Sequence, residues 1–388
     1  MTLMTFKYSC RAILRGFTTI LVLAAGISAG SAQEIETKAK QALMIDLTSG
    51  SVLLEKNADE RMFPASMTKL MTAYIVFERL LDGTLSLQDE FLVSEKAWRK
   101  GGSKMFVEVN TKVSVEDLIR GIIIQSGNDA TIVVAEGLSG SEEAFAEEMT
   151  ATARSLGMMH TQFKNASGWP HPEHYTTARD LATLAIATIE KHPEFYHIYS
   201  ETSFTYHDIE QGNRNPLLYR NIGADGLKTG HTEASGYGLT ASAVNGDRRL
   251  VLVINGMESS KERAAEGVKL LNWGFREWNS YPLFAANETV ETVPVWLGSE
   301  PNVGLYVEEP LTVTIRRRAR KDLRVTARYT EPVAAPITAG SVLGEVTVTA
   351  PGIDPVTMPL KAANSVDQLG AVGRLKAAVN YLVWGEGS

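Results

Sequence analysis

Three groups of residues in this chain have types and spacings suited to acyl transfer. Ser66-Met67-Thr68-Lys69 sets a hydroxyl and an amine three residues apart, on one face of a helix. A hydroxyl is a poor nucleophile until a base removes its proton. A lysine is such a base only when burial lowers its pKa. The run Leu70 to Leu81 supplies that burial, being apolar nearly all round, as a core helix is. At the helix N-terminus Ser66 also meets free backbone N–H groups and the positive dipole end. Ser126-Gly127-Asn128 follows the apolar stretch Leu118 to Ile124 and places a hydroxyl and an amide in a loop. Lys228-Thr229-Gly230, followed by His231-Thr232, precedes the strand around Gly238-Leu239-Thr240. Such an edge offers a cation, a hydroxyl and free N–H groups to an extended peptide, and Gly230 permits close approach.

Each motif is weak alone. A serine–lysine pair at this spacing is expected about once by chance in a chain this long, with the serine a helix cap and the lysine solvated. The order of the three, each at an element boundary, carries the argument.

The elements that must hold them alternate between strand-like and helix-like from residue 34 to about 285. Residues 42–46 and 51–54 flank Thr48-Ser49-Gly50, a hairpin. Val115 to Ile124 is a second buried helix. Thr177-Ala178-Arg179-Asp180 reads as a capping box opening a helix toward Glu190. Leu239 to Val244 and Arg249 to Ile254 flank Asn245-Gly246-Asp247, a hairpin signal. Lys261 to Trp278 is a long closing helix.

Beyond Asn287 the texture changes to short strands punctuated by Pro and Gly: 290–295, 311–315, 323–328 and 342–348. Residues 286–366 are therefore expected to form a small all-β domain. Val372, Leu375, Val379, Leu382 and Val383 then recur at helical spacing. Residues 367–388 are expected to carry an amphipathic helix that lies in a membrane interface.

The N-terminus has the order of a secretory signal. Lys7, Arg11 and Arg15 precede an apolar run from Phe17 to Ile27, and small residues follow from Ser28 to Ala32. Cleavage after Ala32 removes three cations and no acids, which moves the net charge from −7 to −10. An acidic protein has no general reason to bind nucleic acid. The single cysteine, Cys10, lies in this leader, so the mature chain is expected to hold no thiol chemistry and no disulfide.

The motif set resembles that of low-molecular-mass penicillin-binding proteins, the serine-type D-alanyl-D-alanine carboxypeptidases. The resemblance rests on the stretches 63–69, 125–130 and 225–232. It is extended by Asn165-Ala166-Ser167-Gly168, residues 175–180 and Asn213-Arg214-Asn215. It implies an α/β (α+β) penicillin-binding/β-lactamase-like catalytic domain over residues 33–285, followed by the small β domain and a membrane-anchoring tail. Trp169 departs from it, standing where the family's loop has a small aliphatic residue.

The resemblance also implies roles. Ser66 attacks the carbonyl between the two terminal D-alanines of a peptidoglycan stem peptide, and Lys69 takes its proton. Ser126 and Lys228 relay a proton to the departing D-alanine. Asn128 binds the substrate backbone. N–H groups of Ser66 and His231, beside Gly230, form the oxyanion hole. Thr229 and Arg214 hold the terminal carboxylate, since arginine grips carboxylates in a bidentate fork. β-Lactams acylate the same serine.

The setting implied is periplasmic, on the inner membrane surface, in cell-wall biogenesis and cell shape. No cofactor is implied. His160, His171 and His174 invite a metal, but there is no His-Glu-x-x-His helix, and Pro172 spoils a helical ligand pair. Three alternatives stay open: a β-lactamase, a D,D-endopeptidase, and a non-catalytic wall-binding protein on the same scaffold.

Overall fold

A computed structural model of the chain describes residues 4–5 and 35–384. The expected export leader therefore lies outside the described residues apart from Met4 and Thr5. The chain separates into two compact units, one spanning Ile35–Arg276 and one holding Glu277 onward.

The first unit is built on a five-stranded antiparallel sheet. In chain order its strands are β1 (Gln41–Asp46), β2 (Ser51–Lys56), β3 (Ala224–Thr232), β4 (Gly236–Asn245) and β5 (Arg248–Met257). Their spatial order is β2-β1-β5-β4-β3, so β3 is an edge strand. Strand period then sorts the side chains of β5. Val251 and Val253 join the larger apolar cluster on one face, which also holds Leu43 of β1.

Six helices of this unit matter for the site: α1 (Lys69–Leu81), α2 (Val115–Ile123), α3 (Asn128–Ser139), α4 (Glu142–Ser155), α5 (Ala178–Lys191) and α6 (Ser260–Glu277). α5 packs on β1 and β5. On the opposite face α6 brings Gly267 against Leu239 and Gly274 against Met44 and Leu250. α1 runs through the middle, against α2, α4 and α5. Its first nine residues, Lys69 to Phe77, are all buried. Burying each large apolar side chain there contributes about 1.5–3 kcal/mol, which makes α1 a rigid floor for Lys69.

Several sequence expectations shift. α1 is preceded by a 3-10 turn, Ala65–Thr68, so Ser66 stands one turn before the α-helix proper. The capping box at α5 is only half formed. Thr177 Oγ1 accepts from the Asp180 N–H at 3.0 Å. The Asp180 carboxylate, however, accepts from His160 N–H at 2.9 Å and Thr161 Oγ1 at 2.6 Å. It is spent on a neighbouring loop. Helices α3 and α4 had no counterpart in the sequence reading.

In the second unit, antiparallel strands run in the order 324–329, 342–349, 356–362, 302–306, 289–296. A separate pair joins Trp278–Phe284 to Leu311–Arg316. Val293, Leu305, Val313, Val346 and Leu360 fill its core. Ala371–Trp384 is helical, with Val372, Leu375 and Val379 exposed. No helix among the described residues is long and apolar enough to cross a membrane.

Candidate active site

The three motifs, far apart in sequence, meet beside the open edge of β3. Lys69 is 1% exposed, and its Nζ has three oxygen neighbours. They are Ser66 Oγ at 3.0 Å, Asn128 Oδ1 at 2.8 Å and the Ser167 carbonyl at 2.7 Å. Asn128 Nδ2 donates to the Gly101 carbonyl at 2.9 Å, which fixes Oδ1 toward the lysine. A neutral amine has two N–H donors and one lone pair. Asn128 Oδ1 and the Ser167 carbonyl can only accept, so they take both donors. The lone pair then faces the Ser66 hydroxyl.

The electrostatics shift the lysine toward that neutral form. Burial lowers the Lys69 pKa from 10.5 to about 7, helped by the charges of Arg214 and Lys100 and opposed by Asp129. Asp129 is itself fully buried, accepting from the N–H groups of Met105, Phe106 and Val107. That holds the 105–107 loop against the start of α3.

Across the cleft, Lys228 Nζ donates to Ser126 Oγ at 2.9 Å and to the Thr229 carbonyl at 3.3 Å. Lys228 is 2% exposed. Its pKa is driven well below 10.5, first by burial, then by the charges of Lys69, Arg214 and Arg263. Ser126 has φ of 62°, a left-handed backbone that a serine adopts only under constraint.

The loop before the nucleophile is similarly constrained. Ala65 has φ of 47°, and its carbonyl presses on Gly168. A Cβ at Gly168 would lie 1.8 Å from that oxygen, and Gly168 itself has φ of 81°, so no other residue fits. A Cβ on Gly230 would meet the Pro64 carbonyl at 2.7 Å. The nucleophile's turn is thus wedged between two bare backbones.

The remaining predicted residues lie along β3 and its approach. Thr229 is buried and His231 exposed. The His231 ring stacks on Tyr237 at 3.8 Å between centroids, leaving the backbone of β3 at the edge. Arg214 is exposed between two buried asparagines. Asn213 Nδ2 donates to the Glu201 carbonyl at 2.9 Å, and Asn215 Nδ2 donates to the Gly226 carbonyl at 2.8 Å, tying the loop to β3.

The motif pattern gave no role to the Ser167 carbonyl, Lys100, Asp129 or Arg263. Arg263 is 8% exposed on α6, its guanidinium lies 5.6 Å from the Tyr237 ring centre, and its Nε has no hydrogen-bond partner among the described residues. No sequence signal marks it, because it follows Lys228 by two strands and a turn. His174 is buried and both ring nitrogens are engaged. Among the described residues no three histidine, cysteine or acidic side chains gather as a metal site.

The family model for D-alanyl-D-alanine carboxypeptidase matches residues 28–259, more than half of the chain. The chain belongs to this family. The model for the C-terminal domain of penicillin-binding protein 5 matches residues 278–368. Among relatives of this D-alanyl-D-alanine carboxypeptidase family member, DacC of Escherichia coli is 38% identical over 377 residues, 94% of each chain. The crystal structure of penicillin-binding protein 5 from Haemophilus influenzae is 36% identical, with a TM-score of 0.79. It covers 86% of this chain and 99% of its own. An ampicillin-bound penicillin-binding protein D2 from Listeria monocytogenes is 30% identical over the region it shares, 63% of this chain and 99% of its own, with a TM-score of 0.58.

Proposed function

We propose that this protein is a serine D,D-carboxypeptidase that removes the terminal D-alanine of peptidoglycan pentapeptide stems and is acylated by penicillins. The observation that carries the reading is the buried Lys69 amine, whose Nζ lies 3.0 Å from Ser66 Oγ and 2.8 and 2.7 Å from Asn128 Oδ1 and the Ser167 carbonyl.

The chemistry follows from that arrangement. Lys69 takes the Ser66 proton as Oγ attacks the carbonyl of the penultimate D-alanine. The oxyanion is received by the N–H groups of Ser66 and His231; losing one such donor costs about 100- to 1000-fold in rate. Ser126, held by Lys228, passes a proton to the departing amine and takes one from the protonated Lys69 in its place, and D-alanine leaves. Asn128 keeps the peptide backbone in register, while Thr229 and Arg214 hold its terminal carboxylate. Water then adds to the ester with its proton taken by the neutral Lys69, which returns that proton to Ser66 Oγ as the acid leaves.

Ser66→Ala is expected to abolish D-alanine release from a pentapeptide and labelling by fluorescent penicillin together. Persistence of either refutes the nucleophile. Rapid nitrocefin turnover by the unaltered protein would instead favour a β-lactamase. A lack of penicillin labelling would favour a non-catalytic scaffold. Release of D-alanine from free pentapeptide, with cross-linked dimers left intact, separates a carboxypeptidase from an endopeptidase.

The leader-like N-terminus and the exposed Val372, Leu375 and Val379 support export and attachment to the periplasmic face of the inner membrane. Deleting residues 371–388 is expected to move the protein from the membrane to the soluble fraction with catalysis intact. Retention in the membrane fraction refutes the tail as anchor.

A further inference from the structure

Trp169 has no part in the proton transfers, yet it forms a wall of a cavity that opens beside the nucleophile. The cavity measures about 190 Å3. Its lining includes Phe63, Ala65, Trp169, Pro170, Pro172 and Thr232, so most of its surface is apolar.

The tryptophan is fixed from both ends. Its N–H donates to Asn165 Oδ1 at 2.9 Å, and its carbonyl accepts from Asn165 Nδ2 at 2.9 Å. Lys100 Nζ lies 4.6 Å from the ring centre, and Gly101 and Gly102 offer it a wall without side chains. It remains 44% exposed, a large aromatic face held open to solvent.

The direction of β3 says which part of a substrate reaches this cavity. Thr229 and Arg214 mark the end that takes the terminal carboxylate in the proposed function. A peptide laid along the β3 edge then has its leaving D-alanine at Thr229. Its acyl part runs past His231 toward Thr232, which lines the cavity. A D-alanine methyl is about the size of one water, which needs only about 10–15 Å3 of such a cavity, far less than it offers. The next side chain along the peptide is the one with the length to enter.

We propose that this cavity is a specificity subsite for the aliphatic side chain of the residue preceding D-alanyl-D-alanine, with Trp169 and Phe63 as its opposing walls. The proposal rests on the D,D-carboxypeptidase reading above.

The test uses the full chain and two peptides, diacetyl-L-lysyl-D-alanyl-D-alanine and acetyl-glycyl-D-alanyl-D-alanine. The unaltered protein is expected to prefer the lysyl peptide in kcat/KM. Trp169→Ala and Phe63→Ala are each expected to lower kcat/KM for the lysyl peptide by about tenfold, mainly through KM. For the glycyl peptide the change should be under about twofold. Equal losses on both peptides would mean that Trp169 only positions the Gly168 loop, and would overturn the subsite. So would no loss on either peptide, or equal use of both by the unaltered protein. No D-alanine from either peptide overturns the carboxypeptidase reading itself, a different result from loss of discrimination. Stoichiometric labelling by fluorescent penicillin reports that each variant is folded. If Trp169→Ala fails that check, Trp169→Leu and Phe63→Ala carry the comparison.

Discussion

The helix wall and the strand wall of the cleft each set a lysine against a serine, and the two pairs are built differently. Lys69 has two oxygens that can only accept, plus the Ser66 hydroxyl. Lys228 has the Ser126 hydroxyl and, at 3.3 Å, the carbonyl of its own neighbour. Lys69 feels Arg214 and Lys100 but is partly compensated by Asp129. Lys228 is pushed further the same way by Lys69, Arg214 and Arg263. The same two residue types are thus separated by their acceptors and neighbouring charges. One amine is poised to take a proton from its serine. The other holds its serine within a cluster of cations, where a substrate carboxylate is welcome.

Breaking each pair in turn tests this contrast most severely. Lys69→Met keeps the buried volume and removes the base. Penicillin acylation should fall by about 10³- to 10⁴-fold. Lys228→Met leaves Ser66 with its base, and acylation should fall by about 10²-fold. Stopped-flow acylation rates distinguish the two, and equal losses would erase the distinction between the walls. In the unaltered protein the rate should rise with pH through about 7, because the neutral Lys69 amine is the reactive form.

How much of this was legible in the sequence follows the same division. Ser66 and Lys69 are brought together by helix spacing alone, although only the two later motifs lift the pair above chance. Ser126 and Lys228 are 102 positions apart, so only the order of the motifs linked them, through a family resemblance. The Ser167 carbonyl could not be read at all, since any residue type carries that oxygen. Helix α3 was missed because residues 128–135 are all buried, which leaves no amphipathic period. In the β unit the strands 302–306 and 356–362 escaped notice, carrying Gly304 and Pro359 where sequence reading expects turns. Gly168 sat inside a recognised motif, but its reason, the Ala65 carbonyl 1.8 Å from any added Cβ, belongs to the folded chain.

The helix wall also rests on a titratable support. His174 Nδ1 accepts from the Lys164 N–H at 3.1 Å, so the neutral ring carries its proton on Nε2. Nε2 then donates to Thr68 Oγ1 at 2.8 Å, directly beneath the nucleophile's turn. Burial, with the charges of His171 and Lys69, lowers the His174 pKa from 6.5 to about 3. Between those values the unfolded chain binds a proton that the folded chain refuses. Stability should therefore fall as pH drops from about 6.5, with a limiting slope of about 1.4 kcal/mol per pH unit. His174→Gln retains a donor and an acceptor without the titration. Urea midpoints measured from pH 7 to pH 5 should decline less in this variant, and the buried His192 accounts for part of the remaining slope. Equal slopes in both proteins would remove His174 from this role.

The smallest expected effect separates the walls most cleanly. Lys100 stands over Trp169 and lowers the Lys69 pKa, while burial, Lys69, Arg214 and Arg263 dominate at Lys228. Lys100→Ala should therefore raise the Lys69 pKa and move the acid limb of the acylation profile upward by roughly a few tenths of a pH unit, because a partly exposed charge is screened by solvent. The direction is fixed by charge: removing a neighbouring cation makes the ammonium form of Lys69 easier to keep. The shift should shrink from 0.01 M to 1 M salt, as the Debye length falls from about 30 Å to about 3 Å. The plateau rate above the limb should stay unchanged, since no substrate contact is lost. A profile that does not move even at low salt would mean that Arg214 and burial alone set the helix-wall base. A fall in the plateau instead would place Lys100 on the substrate rather than on the lysine.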